Sequence, residues 1–144
     1  MPGAVAVPDA SVLLKWVLDS DDERDRVEAL ALKEAWLSGA CEIVVPSLWI
    51  YEVGNILGLK RPSTAKATLQ AMVDLEIEEA PASEYLGEIY RLMKAHRVTF
   101  YDAAYHALAI QRRGTLITAD AAYARKVSAS GRAATLADWR SAIS

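Results

Sequence analysis

Short, continuously apolar runs alternate along this chain with longer stretches whose apolar residues recur every three or four positions. The short runs predict strands at Ala4–Val7, Glu42–Val45, Leu75–Glu79, Thr115–Thr118 and, more weakly patterned, Ala133–Leu136. The first, second and fourth are unbroken apolar runs, as strands covered on both faces should be. LEIEEAP alternates instead, which suits an exposed or edge strand.

Helical periodicity fills the gaps. Ser11–Leu18 precedes an acidic turn, DSDDERD, and Arg26–Leu37 stops at Ser38-Gly39. Ser47 is placed to cap a helix running to about Leu57, and Pro62-Ser63 opens another reaching Val73. In Ser83–His96, the residues Leu86, Ile89, Tyr90 and Met93 share one face. Tyr101–Arg113 ends at Gly114 with two arginines in its last turn, favourable to the helix dipole. Ala121–Ser128 stops before Gly131. Strand alternating with helix predicts an α/β fold: about five strands in a short, mainly parallel central sheet flanked by helices. No repeat, low-complexity tract or linker breaks the pattern, so residues 1–144 read as one domain.

Composition narrows the possibilities. A chain of 144 residues, 53% of them hydrophobic, can bury a core without disulfides or structural metal. Cys41 is alone, which excludes an internal disulfide framework and Cys-rich zinc sites. With no signal-like N-terminus and no long apolar run, a cytoplasmic protein without membrane contact is expected. The net charge of −3 argues against a broadly basic nucleic-acid surface. Lys60-Arg61, Arg112-Arg113 and Arg125-Lys126 each read as solvated helix ends, although local basic patches stay open.

Against this apolar background four acids stand out: Asp9, Glu52, Asp102 and Asp120. Asp9 and Asp120 end apolar strands, where parallel α/β sheets bind their ligands, yet either is also a plausible helix cap. Asp102 falls in the first turn of its helix, where Thr99-x-x-Asp102 resembles a capping box. Glu52 is harder to explain. Its helix face, with Leu48, Trp49, Asn55, Ile56 and Leu59, is the most apolar available, and no Lys or Arg lies within one turn of it. A carboxylate there faces several kcal/mol of desolvation unless it is paired or bound to a cation.

Converging on one pocket, the four would repel one another and their pKa values would rise. A hard divalent cation such as Mg²⁺ or Mn²⁺, which prefers oxygen ligands, removes that problem. The chemistry such clusters serve is phosphodiester hydrolysis. Other constellations fit poorly. His96 and His106 are the only histidines, so a zinc site is unsupported, and His106 reads as a packing or surface residue. No glycine-rich phosphate loop is present. The four tryptophans read as core or interface residues rather than a base-stacking platform.

These segments together resemble the PIN-domain family, and within it the VapC-type toxin ribonucleases of toxin–antitoxin pairs. VPDASVLLKW looks like the opening strand, with Asp9 and a small hydroxyl residue at Ser11. YEVGNIL is similar to the Glu-x-x-Asn helix motif, giving Glu52 and Asn55. YDAAYHALA matches the helix start at Asp102, and LITADAAYAR the Thr-x-Asp segment at Thr118 and Asp120. The resemblance spans essentially the whole chain and implies a Mg²⁺- or Mn²⁺-dependent endoribonuclease. Asp9, Glu52, Asp102 and Asp120 would be its catalytic and metal-binding acids, with Ser11, Asn55 and Thr118 as hydrogen-bonding groups around them. It also implies a homodimer and an antitoxin that masks the site.

Lys15 and Arg125 or Lys126, one or two turns beyond Asp9 and Asp120, are candidates for a basic strip along which RNA would run. The apolar segment Ser47–Leu59 is expected to meet a second copy or the antitoxin, with Trp49 and Tyr51 as anchors. The competing reading is a PIN-like interaction module without nuclease activity. A haloacid-dehalogenase-type phosphatase needs a second Asp where Ser11 stands, and a phosphoacceptor receiver domain needs an acidic pair that is absent.

Overall fold

The computed structural model describes residues 3–19 and 23–143. Its strands are β1 (Val5–Pro8), β2 (Glu42–Pro46), β3 (Glu78–Ala80), β4 (Thr115–Thr118) and β5 (Ala133–Thr135). They form one sheet in the order β3-β2-β1-β4-β5, and all four pairings are parallel. The helices are α1 (Ala10–Lys15), α2 (Glu23–Leu37), α3 (Trp49–Lys60), α4 (Ala65–Val73), α5 (Leu86–His96), α6 (Phe100–Gln111), α7 (Ala121–Lys126) and α8 (Trp139–Ile143). Among the described residues no helix is long and apolar enough to cross a membrane.

The three continuously apolar runs became the three central strands. Ala6, Val7, Val44, Val45, Leu116 and Ile117 are all buried, because helices cover both faces of a parallel sheet. Across this centre lies α6, packed on β1, β2 and β4. Its alanines at 103, 104, 107 and 109 are fully buried and let the helix approach the strands closely, while Tyr105 and Leu108 fill the space beside them. Trp16, Trp49 and Trp139 lie in the core, and Trp36 stacks on Trp16 with ring centroids 6.1 Å apart.

Several boundaries depart from the sequence reading. The acidic turn lies partly outside the described residues (20–22), and α2 begins within it, at Glu23. Ser47 does not cap α3: Leu48 holds that position without a side-chain bond, while the Ser47 amide donates to the Ala80 carbonyl at 3.2 Å and extends the sheet edge. Thr64, not Ser63, precedes α4. The alternating segment does form an edge strand, but only from Glu78, because Glu76 takes a left-handed backbone (φ 56°) and breaks the extended run. On α5 the buried positions are Ile89 and Leu92, whereas Leu86 and Tyr90 face solvent. The final helix, α8, has no counterpart in the sequence reading.

At the end of α6 the left-handed position that usually selects glycine belongs to Arg113 (φ 53°), not Gly114. Gly114 is needed for another reason. A Cβ there would stand 2.5 Å from the Val5 carbonyl oxygen and 2.9 Å from the Val5 Cβ, on the neighbouring strand. Gly114→Ala should therefore push β4 away from β1 and lower stability by about 1–3 kcal/mol. Gly87→Ala, whose added methyl meets nothing within 4 Å, should leave stability unchanged or raise it. Thermal unfolding of the two variants beside the parent checks the pair.

Candidate active site

Chain direction creates the site. From β1 the chain moves to β2 and β3 on one side of the sheet, then returns to place β4 and β5 on the other. Connections leaving β1 and β4 diverge, and the crevice between them opens at the strands' carboxyl ends. Asp9 follows β1 directly, and Asp120 lies two residues beyond β4. Glu52 arrives from α3 and Asp102 from the first turn of α6. All four carboxylates line one cleft of about 140 Å³, together with Ser11, Tyr105, Thr118 and Tyr123. A larger hollow of about 600 Å³ lies between α3 and the β3 edge, away from these acids.

The capping roles read from sequence hold alongside this convergence. Asp9 caps α1, its Oδ1 accepting from the Val12 amide at 3.3 Å, and Asp120 caps α7, its Oδ1 accepting from the Tyr123 amide at 3.0 Å. Thr99 caps α6 by accepting from the Asp102 amide at 3.1 Å. A cap engages one carboxylate oxygen, so it fixes the group without consuming it. Ser11 joins the two strand ends: its hydroxyl donates to Asp9 Oδ1 and accepts from the Ala119 amide at 3.0 Å. Thr118 is fully buried, its Oγ1 accepting from the Asp120 amide at 3.1 Å and lying 3.5 Å from the Ser11 hydroxyl.

Glu52 differs from the sequence reading. The buried stripe of α3 is Trp49, Val53 and Leu57, and Glu52 sits half-buried on its flank, while Tyr51 and Leu59 are exposed. Residues apolar on nearly every side of α3 gave the sequence no way to show which stripe faces inward. The carboxylate is held by Tyr105, whose hydroxyl donates to Glu52 Oε1 at 2.8 Å from a ring buried in the core. Asn55 does not join the cleft; it is exposed one turn further along α3. Sequence reasoning passed over Tyr105 and Tyr123, since tyrosines among apolar residues read as core. Tyr105 stands three residues after Asp102, on the same side of α6, and that spacing was the available signal.

Electrostatics reflect the crowding. Burial pushes the Asp9 carboxyl up to about 6; hydrogen bonds from Ser11, Thr118 and Val12 oppose the rise, and the Asp102 charge adds to it. Burial also raises Glu52, against the Tyr105 hydrogen bond, and the charges of Asp102 and Asp9 raise it further. The Tyr123 phenol is raised by burial and by the same two aspartates, and its hydroxyl has no hydrogen-bond partner among the described residues. Among the described residues no lysine or arginine lines the cleft.

A cleft lined by oxygen donors, in which the charges of Asp102 and Asp9 help to raise the Glu52 carboxyl, fits a hard divalent cation. Among the described residues no three His, Cys, Asp or Glu side chains stand ready to enclose an ion by themselves. His106 takes no part: it is fully buried, its Nε2 lies 2.7 Å from the Gly131 carbonyl oxygen, and burial lowers its pKa. Lys15 lines an adjoining groove, while Arg125 and Lys126 are exposed in the last turn of α7, with Lys126 Nζ donating to the Arg97 carbonyl at 3.3 Å.

A parallel α/β sheet with carboxylates gathered at its carboxyl edge defines a class of acid-lined, ligand-binding folds. Within that class the chain belongs to the PIN domain family, whose model matches residues 6–128. Similar solved structures include a toxin–antitoxin complex from Klebsiella pneumoniae, at 19% identity and TM-score 0.67, covering 91% of this chain and 97% of that one. The sarcin–ricin-loop-cleaving toxin VapC20 of Mycobacterium tuberculosis is 16% identical with TM-score 0.63, over 88% of this chain and 95% of that one. FitAcB from Neisseria gonorrhoeae is 16% identical with TM-score 0.60, over 90% of this chain and 95% of that one. At these identities the likeness is one of fold. No curated protein matches the chain in sequence.

The Asp9 shift has a measurable consequence. Between its usual 3.8 and about 6 the folded protein holds a proton that the unfolded chain has released. The stability Asp9 contributes is thus present below pH 4 and lost as pH rises through 6. In EDTA the melting temperature should carry a component that falls across this window, and Asp9→Asn, which keeps the helix cap, should remove it. A pH profile of unfolding that is identical in parent and variant would count against a desolvated Asp9.

Proposed function

We propose that this chain is a Mg²⁺- or Mn²⁺-dependent endoribonuclease of the VapC toxin type, one domain over residues 1–144, hydrolysing RNA phosphodiester bonds in the cytoplasm. The observation that carries this reading is the cleft itself: four carboxylates and no basic side chain at the switch point of the sheet. When bound there, a divalent cation supplies an activated water and stabilises the charge of the leaving oxygen. Asp9 and Asp102 are the direct holders of the ion in this reading, because their charges reach each other and Glu52. Glu52, steadied by Tyr105, and Asp120, steadied by its cap, hold and orient water around the reacting phosphate. Ser11 and Thr118 keep Asp9 and the β4 end in register. Asn55, exposed as it is, would contribute only through contact with bound RNA.

Partners belong to the same proposal. The solved toxin–antitoxin complex of like fold supports an antitoxin that masks the cleft, and a homodimer is the expected assembly. The surface of α3 offers Tyr51, 79% exposed, and Leu59, 74% exposed, to such contacts, whereas Trp49 does not, being buried with its indole N–H donating to Glu79.

Cleavage of RNA by the purified protein should require Mg²⁺ or Mn²⁺ and stop in EDTA. Asp102→Asn should reduce it to the EDTA level while leaving the metal-free protein as stable as the parent or more so, since one of several clustered charges is gone. Mn²⁺ should also raise the parent's melting temperature above pH 6, and do so less in Asp102→Asn. A protein that binds its partners normally, ignores the chelator and cuts no RNA would instead be an interaction module.

A further inference from the structure

Beside the acidic cleft runs a second groove of about 290 Å³, walled by α1 and α3. Leu14, Leu18 and Ile56, all half-buried, give it an apolar portion within a lining that exposes more polar than apolar surface. Lys15 stands on the α1 side and Lys60 on the α3 side. The two hollows meet at Ser11, which lines both. Asp19 also lines the groove, and Arg26 lies 3.6 Å from its carboxylate.

We infer that this groove holds the nucleotide next to the scissile phosphate, its own phosphate bound by Lys15 and Lys60 and its base lying on Leu14, Leu18 and Ile56. The inference rests on the nuclease reading and extends it to the path of the strand. Three features favour a nucleic-acid strand as the occupant. The lysines supply positive charge immediately beside a cleft that has none, which is what a phosphodiester chain needs on leaving the metal site. Leu14, Leu18 and Ile56 offer a base face an apolar contact that reads none of its edges, so they suit a strand of unspecified sequence. Continuity through Ser11 lets one strand occupy both hollows without a break. Sequence order hides the groove, because Lys15 and Lys60 are distant in the chain and Lys60 reads there as a solvated helix end.

The test compares binding of a short, fluorescently labelled single-stranded RNA of mixed sequence, in Mg²⁺, by proteins that carry Asp102→Asn so that the probe survives. Adding Lys15→Gln and Lys60→Gln should weaken binding about tenfold and make the salt dependence shallower by about 0.7 for each lysine. In the cleaving protein the same pair should raise KM and leave kcat at saturating RNA unchanged. Lys60→Gln alone, at an exposed position, gives half the slope change and stands in if the double variant melts early. Unchanged affinity and slope overturn the inference. So does a loss that appears only with Arg125→Gln and Lys126→Gln, which places the strand along α7. A parent protein that neither binds nor cuts RNA overturns the nuclease reading together with the groove, whereas a parent that cuts RNA with lysine variants indistinguishable from it overturns the groove alone.

Discussion

Pairing of β1 with β4 is the contact on which the rest of the molecule turns. Pro8 lies opposite Ile117 at the last rung, and the Asp9 amide donates to the Ile117 carbonyl at 3.0 Å just beyond it. Two strands far apart in sequence are thereby neighbours, with the chain leaving in opposite directions on either side. Side chains at the two carboxyl ends are brought together and then left uncovered, because no connection crosses between them. The closeness is fine enough to exclude a methyl group at Gly114, where β4 begins beside Val5. A shift of this rung would move Asp9 relative to Asp120 and break the hydroxyl relay of Ser11 and Thr118 that joins them.

Stability and chemistry pull against each other at this point. A carboxylate taken out of water costs several kcal/mol, and neighbouring carboxylates add repulsion. The fold offsets part of the cost locally through bonds it would make in any helix start: the caps at Asp9 and Asp120, and the Thr99 cap that seats Asp102. Capping and metal holding are therefore not rival explanations of these acids. The cap orients one oxygen and shares the charge; the cost that stays, of burial first and of neighbouring charges second, shows in the raised Asp9 and Glu52 carboxyls, and a cation held there would relieve it. Glu52, which caps nothing, depends on Tyr105 for its orientation.

How far the sequence discloses this depends on whether a feature is local. The three central strands were legible because burial on both faces leaves their middles wholly apolar, and β4 runs over the residues its pattern predicts. The strand-end acids were legible for the same reason, as breaks in those runs. The β3 boundary was not, since a left-handed Glu76 leaves no mark in composition. Which stripe of α3 faces inward was equally hidden: Trp49, Val53 and Leu57 are no more apolar than Leu48, Ile56 and Leu59, and only the position of the sheet decides between them. Tyr105 and the groove between α1 and α3 are tertiary facts, formed by residues that no local pattern connects.

Charge balance gives the clearest case of local arrangement outweighing a total. With a net charge of −3 the chain looks poorly suited to a polyanion. Yet salt limits the reach of any one charge to roughly 8 Å at physiological ionic strength, so a strand senses only the groups it touches. Most acids on the surface therefore scarcely affect it. Those that matter on the nuclease reading are the cleft carboxylates, whose charge would gather a cation, and the lysines of the adjoining groove. A basic cleft would bind RNA without a metal and would have no means of holding the ion that the proposed cleavage needs. On the nuclease reading, an acidic cleft with basic flanks would make binding at the reactive phosphate conditional on the metal, so that attachment and catalytic readiness would arrive together.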